Sequence, residues 1–467
     1  MAGLSDRVPD LTRPRRVHVV GVGGAGMSAI ATVLAGMGHV VSGSDLRASA
    51  ALDRLRAAGV RVTVGHQAEN VVDAEFVAIS TAVPPSNPEV RWALDHGVEV
   101  FSRADVLAGL AAEPRLLAVA GTHGKTTTSS MLSLVMVEAG LHPSFIIGGE
   151  LNEIGGGALH DSGEWMVVEA DESDGTFLRL NPEVGIVTNV EPDHLETYGS
   201  FEALTEAFFT FMANSTGPVV ACADDPVASR LAARLVKMGR VVSTYGTSPA
   251  AEFRMVDLRH GRATASFRLS RSGADLFEVV LPIPGDHNAR NGAAAAAAAL
   301  LIGVGPEPVA RALSRFGGVA RRFQFRGEQR GVTFVDDYAH LPGEIGPMVQ
   351  AAIKGDWARV VCVFQPHRYS RTESLWPQFA DCFEGADVVV VTDVYPAGEA
   401  PRPGVSGRLV VRAISEAHPE SRVLYAATRT ELLDTVASIL VEGDLCLTLG
   451  AGDLTSLPDE LMARVQW

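Results

Sequence analysis

The stretch Ala118-Val-Ala-Gly121-Thr122-His123-Gly124-Lys125-Thr126-Thr127 runs from a small apolar strand into a glycine loop that closes on a lysine and two hydroxyls. The backbone N–H groups of such a loop, with the N-terminus of the helix that follows, form an anion site suited to nucleoside triphosphate phosphates. The ammonium adds a point charge beside the β- and γ-phosphates, and the Thr126 hydroxyl can ligate Mg²⁺. The general pattern asks for glycine at 119, where this chain has Val119. Only three lysines (Lys125, Lys237 and Lys354) stand against 36 arginines. A lysine inside the loop therefore points to a need for a compact ammonium, which arginine does not supply.

Further chemistry-bearing residues sit at the ends of apolar runs. Glu169-Ala-Asp171-Glu172-Ser173-Asp174 places four carboxylates in six residues after a strand, where a carboxylate can hold Mg²⁺ against the phosphates. Thr188-Asn-Val-Glu-Pro-Asp-His194 is a second strand end, with a carboxylate and an imidazole suited to metal or phosphate. Gly285-Asp-His-Asn-Ala-Arg-Asn291 opens an alanine-rich helix, where the amides can cap the helix or read an adenine edge. Asp336-Asp-Tyr-Ala-His340 and Gln365-Pro-His-Arg-Tyr-Ser-Arg371 bring carboxylates, a phenol, imidazoles and guanidiniums. Paired arginines can grip a carboxylate and stabilise charge developing on a phosphoryl group.

The elements that must position these residues read as α/β throughout. Arg16–Val20 is a short strand, Gly21-x-Gly23-x-x-Gly26 a tight turn, Met27–Met37 a helix and Val40–Asp45 the next strand. This is a dinucleotide-type βαβ start, with Asp45 about where a ribose-binding acid falls. The same turn accepts any diphosphate-linked nucleotide. Strand-like runs at 76–80, 98–101, 165–169, 184–188, 219–222, 332–336, 360–364, 388–392 and 445–449 alternate with helical stretches, which predicts mainly parallel sheets. Residues 251–282 alternate polar and apolar, as a hairpin insertion does. The expected architecture is three α/β domains: a Rossmann-like domain over 1–107, a P-loop ATPase-like domain over 108–322 and a second Rossmann-like domain over 323–467.

Bulk properties agree. The 467 residues exceed one ordinary core, and 47% hydrophobic with 20% charged residues describes a globular chain. A net charge of −16 argues against nucleic-acid or anionic-membrane partners. The four cysteines have no metal-binding spacing and read as reduced thiols of a cytoplasmic protein. Residues 17–44 carry no Asp, Glu, Lys or Arg, yet seven of the 28 are glycine, so they read as β-turn-α-β and not as a signal or membrane segment.

Together Gly121-Thr-His-Gly-Lys-Thr-Thr127, Glu169–Asp174, His287-Asn-x-x-Asn291, Arg321-Arg-Phe323, Asp336–His340 and Phe364–Thr372 resemble the Mur ligases of peptidoglycan synthesis, from about residue 15 onward. His123, Gly21-Val-Gly-Gly-Ala-Gly-Met27 and Asp393-Val-Tyr-Pro-Ala-Gly-Glu399 point to the alanine-adding branch. The resemblance implies an ATP-dependent ligase that activates the carboxylate of UDP-N-acetylmuramate as an acyl phosphate and attacks it with L-alanine. It implies that Gly23, Gly24, Ala25, Asp45 and Arg103 serve the nucleotide-sugar, with His123, Asp171, Glu172 and Ser173 also facing substrate. Gly121, Thr122, His123, Gly124, Lys125, Thr126 and Thr127 hold ATP in this reading, with one or two Mg²⁺ on Thr126, Glu169 and His194. His287, Asn288, Asn291, Arg322 and Asp337 face the adenosine or phosphates. Tyr338, His340, His367, Arg368 and Arg371 surround alanine and the acyl phosphate, and Lys125, Glu169, His194, His340 and Arg371 are the catalytic group.

Three departures from the family pattern stand out, the smallest being Ser102-Arg103 in place of a Pro-Arg pair, where the arginine is kept. No lysine lies between 126 and 236, so Glu169 and His194 take the metal-side role that a carbamylated lysine has in several sister ligases. The segment His340-Leu341-Pro342-Gly343-Glu344 replaces two histidines followed by Pro-Thr-Glu. Alternative readings are a sister ligase adding a preformed peptide or another amino acid, a non-catalytic nucleotide-sugar binding protein, and an NAD-dependent oxidoreductase on the Gly21 turn. The last leaves the glycine-lysine loop unexplained. Domain closure around the reaction, and a monomer or weak homodimer, complete the expectation.

Overall fold

Short apolar strands separated by helices assemble three sheets in the computed structural model, which describes residues 7–80, 82–151 and 154–464. Contacts group the chain into two compact units, one of Met1–Val256, Arg268–Glu278 and Arg290–Leu313, the other of Asp257–Phe267, Val279–Ala289 and Ser314–Trp467.

The first unit opens with β1 (Arg16–Val20), α1 (Ala25–Gly36), β2 (Val40–Asp45), α2 (Ala50–Ala57), β3 (Arg61–Val64), β4 (Phe76–Ile79), α3 (Pro88–Asp95), β5 (Glu99–Ser102) and α4 (Arg103–Leu110). The sheet order is β3-β2-β1-β4-β5, all parallel. The order reverses between β1 and β4, and ligands of such sheets lie beyond the strand carboxyl ends at that point. Helix α1 buries Met27, Ile30, Ala31 and Leu34, the i, i+3, i+4, i+7 stripe of a core-facing helix.

The same unit continues with β6 (Arg115–Ala120), α5 (Lys125–Glu138), β7 (Ser144–Leu151), β8 (Gly156–Leu159), β9 (Trp165–Glu169), β10 (Val184–Val187), α6 (Leu195–Tyr198), α7 (Phe201–Asn214), β11 (Val219–Cys222), α8 (Pro226–Lys237) and β12 (Val242–Gly246). Their order is β12-β11-β10-β6-β9-β7-β8, parallel except for the β7–β8 hairpin. Helix α1 packs on β7 and β8, and His160 fills the space where a side chain at Gly36 would be. That shared packing is why the first two sequence regions cluster as one unit.

A meander of β13 (Phe253–His260), β14 (Ala265–Arg271) and β15 (Ala274–Leu281) realises the expected hairpin insertion. Helix α9 (Asp286–Leu301) follows, its run of seven consecutive alanines Ala293–Ala299 fully buried, and then α10 (Pro306–Ser314).

The second unit holds β16 (Gln324–Gln329), β17 (Val332–Asp337), α11 (Pro342–Ile353), β18 (Arg359–Phe364), α12 (Tyr369–Leu375), β19 (Val388–Thr392), α13 (Arg408–Ala417), β20 (Val423–Ala426), α14 (Arg429–Ile439), β21 (Asp444–Leu449) and α15 (Leu457–Ala463). Its sheet runs β16-β17-β21-β18-β19-β20, parallel except for the edge strand β16. Both faces of this sheet carry a packed apolar layer. Cys222, Cys362, Cys382 and Cys446 are buried free thiols. Among the described residues no helix is long and apolar enough to cross a membrane.

Candidate active site

In the first unit, β6 ends at Ala120 and α5 begins at Lys125, with Gly121 and Gly124 between them at φ 143° and 82°. A side chain at Gly121 would strike Thr188 Oγ1, and one at Gly124 would strike the Asn291 amide. Glycine is thus required twice, for its left-handed backbone and for space. Asn189 fastens the loop: its carbonyl accepts from Thr122 N (3.1 Å) and its side-chain oxygen from His123 N (2.8 Å), while its amide donates to His123 O (2.9 Å). Thr188 Oγ1 donates to the same carbonyl (2.6 Å). The His123 ring lies 3.4 Å from Glu191. The N-terminus of α5 carries no side-chain cap, unlike those of α2, α3, α7 and α8, so its first-turn donors are left for an anion.

Lys125 Nζ donates to Glu172 Oε1 (2.8 Å) and to the carbonyls of Gly121 (2.6 Å) and Thr122 (3.2 Å). Burial would depress this ammonium, but the charges of Glu172, Asp171 and Glu169 outweigh it and hold its pKa above the ordinary lysine value. Glu172 is itself buried, and its carbonyl accepts from the Tyr198 hydroxyl (2.5 Å). Asp171 is pushed up by burial and pulled down further by Lys125 and Arg103. Ser173 N donates to Asp171 (3.0 Å) and Ser173 O accepts from Thr197 (2.9 Å), which stabilises this acidic turn.

Thr126 Oγ1 donates to Glu169 Oε1 (3.1 Å), and Glu169 Oε2 accepts from Gly148 N (2.7 Å). A hydroxyl beside a carboxylate suits Mg²⁺, which takes one or two protein oxygens and fills its octahedron with phosphate and water. Among the described residues no group of three or more His, Cys, Asp or Glu is placed to hold a metal ion. His194 sits at the left-handed N-cap of α6 (φ 51°), its Nε2 3.4 Å from Asp193. Thr127 is buried in the first turn of α5.

The glycine turn after β1 faces the same unit. Gly21 N (2.8 Å) and Val22 N (3.0 Å) donate to Ser44 O, and Gly23 N donates to Asp45 Oδ2 (2.9 Å). Asp45 thus holds the turn itself. Gly24 caps α1 without a side-chain bond, leaving the N–H groups from Ala25 onward at the helix mouth. Arg103, at the start of α4, reaches Asp171 (3.4 Å) and Asp174 (3.7 Å) and lies where a side chain at Gly26 would be. A cleft of about 60 Å³ runs from Gly26 and Arg103 to Gly148, Glu169 and Asp171. It brings the turn of the first sheet to the carboxylate side of the phosphate loop.

In the second unit the side chains expected at the amino acid stand beyond the carboxyl ends of β17 and β18. Tyr338, His340, His367 and Tyr395 form a row with ring centroids 5.3, 5.4 and 5.7 Å apart, the last pair stacked. His340 Nδ1 lies 3.0 Å from Tyr338 O, which fixes Nδ1 as the donor and turns Nε2 outward as an acceptor. Arg371 Nη1 donates to His367 Nδ1 (3.2 Å), so the His367 proton sits on Nε2. Burial lowers the pKa of His340 despite Glu344, and burial with the charges of His340, Arg371 and Arg368 brings His367 down to about 4. Both imidazoles are therefore neutral near pH 7. Arg368 has φ 69°, and its N–H donates to Tyr395 O (2.8 Å). Glu399 accepts from Ser370 N (2.9 Å) and Oγ (2.6 Å) and anchors the start of α12.

Two residues expected at the nucleotide are turned inward instead. Asp337 is fully buried, with its oxygens accepting from Phe323 N (2.6 Å) and Ala339 N (2.7 Å), and burial raises its pKa to about 6. The Asn288 amide donates to Pro284 O (2.7 Å). Asp337 spends both oxygens on backbone and so holds its loop in place, whereas Asn288 commits its amide N–H to Pro284 O. The His287 ring packs against Gly285, and Arg322 lies 3.8 Å from Glu344 and over the Tyr338 ring. The altered segment after His340 keeps its turn, since Glu344 accepts from His340 N (2.9 Å) and Leu341 N (3.2 Å) and Leu341 is buried.

Sequence reading alone passed over Asn189, Tyr395 and Glu399 as working parts. Asn189 had a signal, since an amide following a strand-end Thr beside a glycine loop is suited to tie it. It also passed over a buried group beneath the glycine turn: Ser44, His66, Asn70 and Glu89. Asn87-Pro-Glu89 signals only a helix start, with Asn87 as cap and Pro88 in the first turn.

Comparison with known proteins follows this geometry. Three Mur ligase family models match, described as the family's catalytic domain (residues 16–115), middle domain (119–299) and glutamate ligase domain (321–452). The UDP-N-acetylmuramate–L-alanine ligase of Pelotomaculum thermopropionicum is 45% identical over 98% of this chain and 99% of its own. The protein of that name from Rubrobacter xylanophilus is 47% identical over 96% of this chain and 100% of its own. The crystal structure of the UDP-N-acetylmuramate-alanine ligase of Thermotoga maritima superposes with TM-score 0.79 at 28% identity, covering 96% of this chain and 98% of that one. Matched by three family models over residues 16–115, 119–299 and 321–452, and by relatives 45–47% identical over nearly its whole length, the chain belongs to the Mur ligase family.

Proposed function

We propose that the protein joins L-alanine to the muramyl carboxylate of UDP-N-acetylmuramate, using ATP, in the synthesis of peptidoglycan precursor. The observation that carries this reading is identity of 45–47% with relatives of that name across nearly the whole chain. The geometry supplies a consistent division of labour. The glycine turn after β1 takes the diphosphate of the nucleotide-sugar, and Arg103 faces the sugar's carboxylate. The Gly121–Thr127 loop takes the ATP phosphates, with Lys125 moving from Glu172 onto the γ-phosphate as it arrives. Asn291 stands at Gly124 as a nucleotide contact. Thr126 and Glu169, with His194, would hold Mg²⁺, whose charge would draw electron density from the phosphate oxygens.

A carboxylate oxygen of the muramyl group attacks the γ-phosphorus, ADP leaves, and an acyl phosphate forms. The amine of L-alanine then attacks the acyl carbon, and the tetrahedral intermediate expels phosphate. His340 Nε2 accepts the proton released from the amine, while Arg368 and Arg371 orient the amino-acid carboxylate and the phosphate. His367 offers its Nε2–H as a donor to the same group. The protein works in the cytoplasm, where these nucleotide substrates occur.

The test is phosphate release with UDP-N-acetylmuramate, ATP and Mg²⁺ across a panel of L-alanine, glycine, L-serine and a muropeptide-type tripeptide. L-Alanine is expected to give the highest kcat/KM. Preference for the tripeptide would replace this reading with a recycling ligase, and no release with any acceptor would leave only a binding protein.

A further inference from the structure

Beneath the glycine turn lies a buried polar group that the reaction above does not use. Glu89, in the first turn of α3, is fully buried. Its Oε2 accepts from Ser44 Oγ (2.6 Å) and lies 3.0 Å from His66 Nδ1. Its Oε1 accepts from Asn70 Nδ2 (2.5 Å) and Gln67 N (3.3 Å), and His18 Nε2 is 3.7 Å away. Burial would push this carboxyl up, yet the donors from His18, Asn70 and Ser44 outweigh it and bring the pKa down to about 2. A carboxylate stays charged in a protein interior only when donors surround it this completely.

The connections of its partners give the group a purpose. Ser44 is the residue whose carbonyl holds Gly21 N and Val22 N, and the next residue, Asp45, holds Gly23 N through its side chain. On the other side, Gly65 N donates to Asp45 O (2.7 Å), and the residues that follow, His66 and Gln67, both bond to Glu89. One carboxylate therefore grips the strand end at Ser44 and the loop at 66–67, the two segments that flank Asp45. Ser44 and Asp45 between them hold three consecutive N–H groups of the turn.

We infer that Glu89 is a positioning residue for nucleotide-sugar binding, acting through Ser44 and the 65–67 loop to hold the glycine turn in its ligand-ready shape. This rests on the reading of that turn as the nucleotide-sugar site. The carboxylate does not touch the ligand. It fixes the backbone that does, much as outer hydrogen-bond partners orient the ligands of a metal.

The test combines Glu89→Gln, Ser44→Ala and the double variant with steady-state kinetics and calorimetric titration of UDP-N-acetylmuramate. The amide of Glu89→Gln puts a donor against the donors of Ser44 and His66. Ser44→Ala removes the hydroxyl that joins Glu89, His66 and His18 while sparing the carboxylate, and it keeps the inference testable should Glu89→Gln fail to fold. Each single variant is expected to raise the KM and Kd for UDP-N-acetylmuramate by on the order of tenfold, the effect typical of outer-shell partners. The KM values for ATP and L-alanine and kcat are expected to hold, a split that general loosening of the fold would not produce. The double variant is expected to be no worse than the poorer single one, because both cut the same link. Folded variants with wild-type affinity, or losses spread equally over all three substrates, would overturn the inference alone. A wild-type protein that fails to bind UDP-N-acetylmuramate would overturn the reading of the turn and the inference with it.

Discussion

Lys125 and Arg371 carry charge at opposite stages of the proposed chemistry, and each has a distinct signature when removed. Lys125→Ala takes away a preorganised ammonium that Glu172 and two carbonyls hold in place. Turnover is expected to fall by about 10²-fold or more, the cost of losing one fixed charge at a developing transition state. Binding of UDP-N-acetylmuramate, followed by calorimetry, is expected to persist, and unchanged turnover would remove Lys125 from the phosphate step. Arg371 both orients the second substrate and sets the His367 tautomer. Arg371→Ala is expected to cost ~1–3 kcal/mol in kcat/KM for L-alanine, in line with truncated charged hydrogen bonds. A KM for ATP that moved as much as that for alanine would contradict the assignment. Residue types at strand ends were legible in the sequence because the motifs are contiguous. Asp337 was not, since nothing local tells a carboxylate aimed at a ligand from one that accepts from Phe323 N and Ala339 N.

Helix α5 shows how one element separates function from stability. Gly124 caps its N-terminus and Gly140 follows its C-terminus, both left-handed (φ 82° and 71°). A side chain at Gly140 meets nothing within 4 Å, whereas one at Gly124 meets Asn291. Gly140→Ala is expected to lower stability by about 1 kcal/mol through backbone strain alone and to leave the KM for ATP unchanged. Gly124→Ala is expected to lower thermal stability and also to raise the KM for ATP, because the loop must shift away from Asn291. Equal ATP kinetics in the two variants would show that the close approach is unimportant. The strand–loop–helix order here was readable in advance, as were the strands at 16–20, 165–169 and 360–364. The β7–β8 hairpin and the edge strand β16 were not, since their glycine-rich and mixed sequences lack an apolar period and take their shape from neighbouring strands.

Over the whole molecule, pH dependence follows from a few buried groups with opposed signs. In the second unit His367 titrates near 4 when folded and near 6.5 when unfolded, so the unfolded chain binds more protons between those values and stability rises with pH there. Asp337 titrates near 6 folded against 3.8 unfolded, so across that window the folded chain binds more protons and stability falls as pH rises. Between pH 4 and 6 the two contributions oppose each other. His367→Gln is expected to remove the rising contribution, so that the thermal midpoint falls more, or rises less, from pH 4.5 to pH 6 than in the wild type. A slope unchanged by the substitution would refute the balance. In the first unit Glu89 has the ordinary sign of a depressed carboxylate. Its stabilisation is full above about pH 4.5 and is lost as pH falls toward 2.

The sequence alone determined the phosphate loop, the glycine turn, the α/β class and the family resemblance, because phosphates are bound by consecutive backbone N–H groups and glycine marks where they turn outward. Tertiary structure alone decided which carboxylates hold the frame. Glu89 collects its donors from His18, Ser44, His66, Gln67 and Asn70, residues carried by separate elements up to 71 positions apart in the chain. No local pattern encodes such a meeting, since an ionised group is buried only where folding brings enough donors to it.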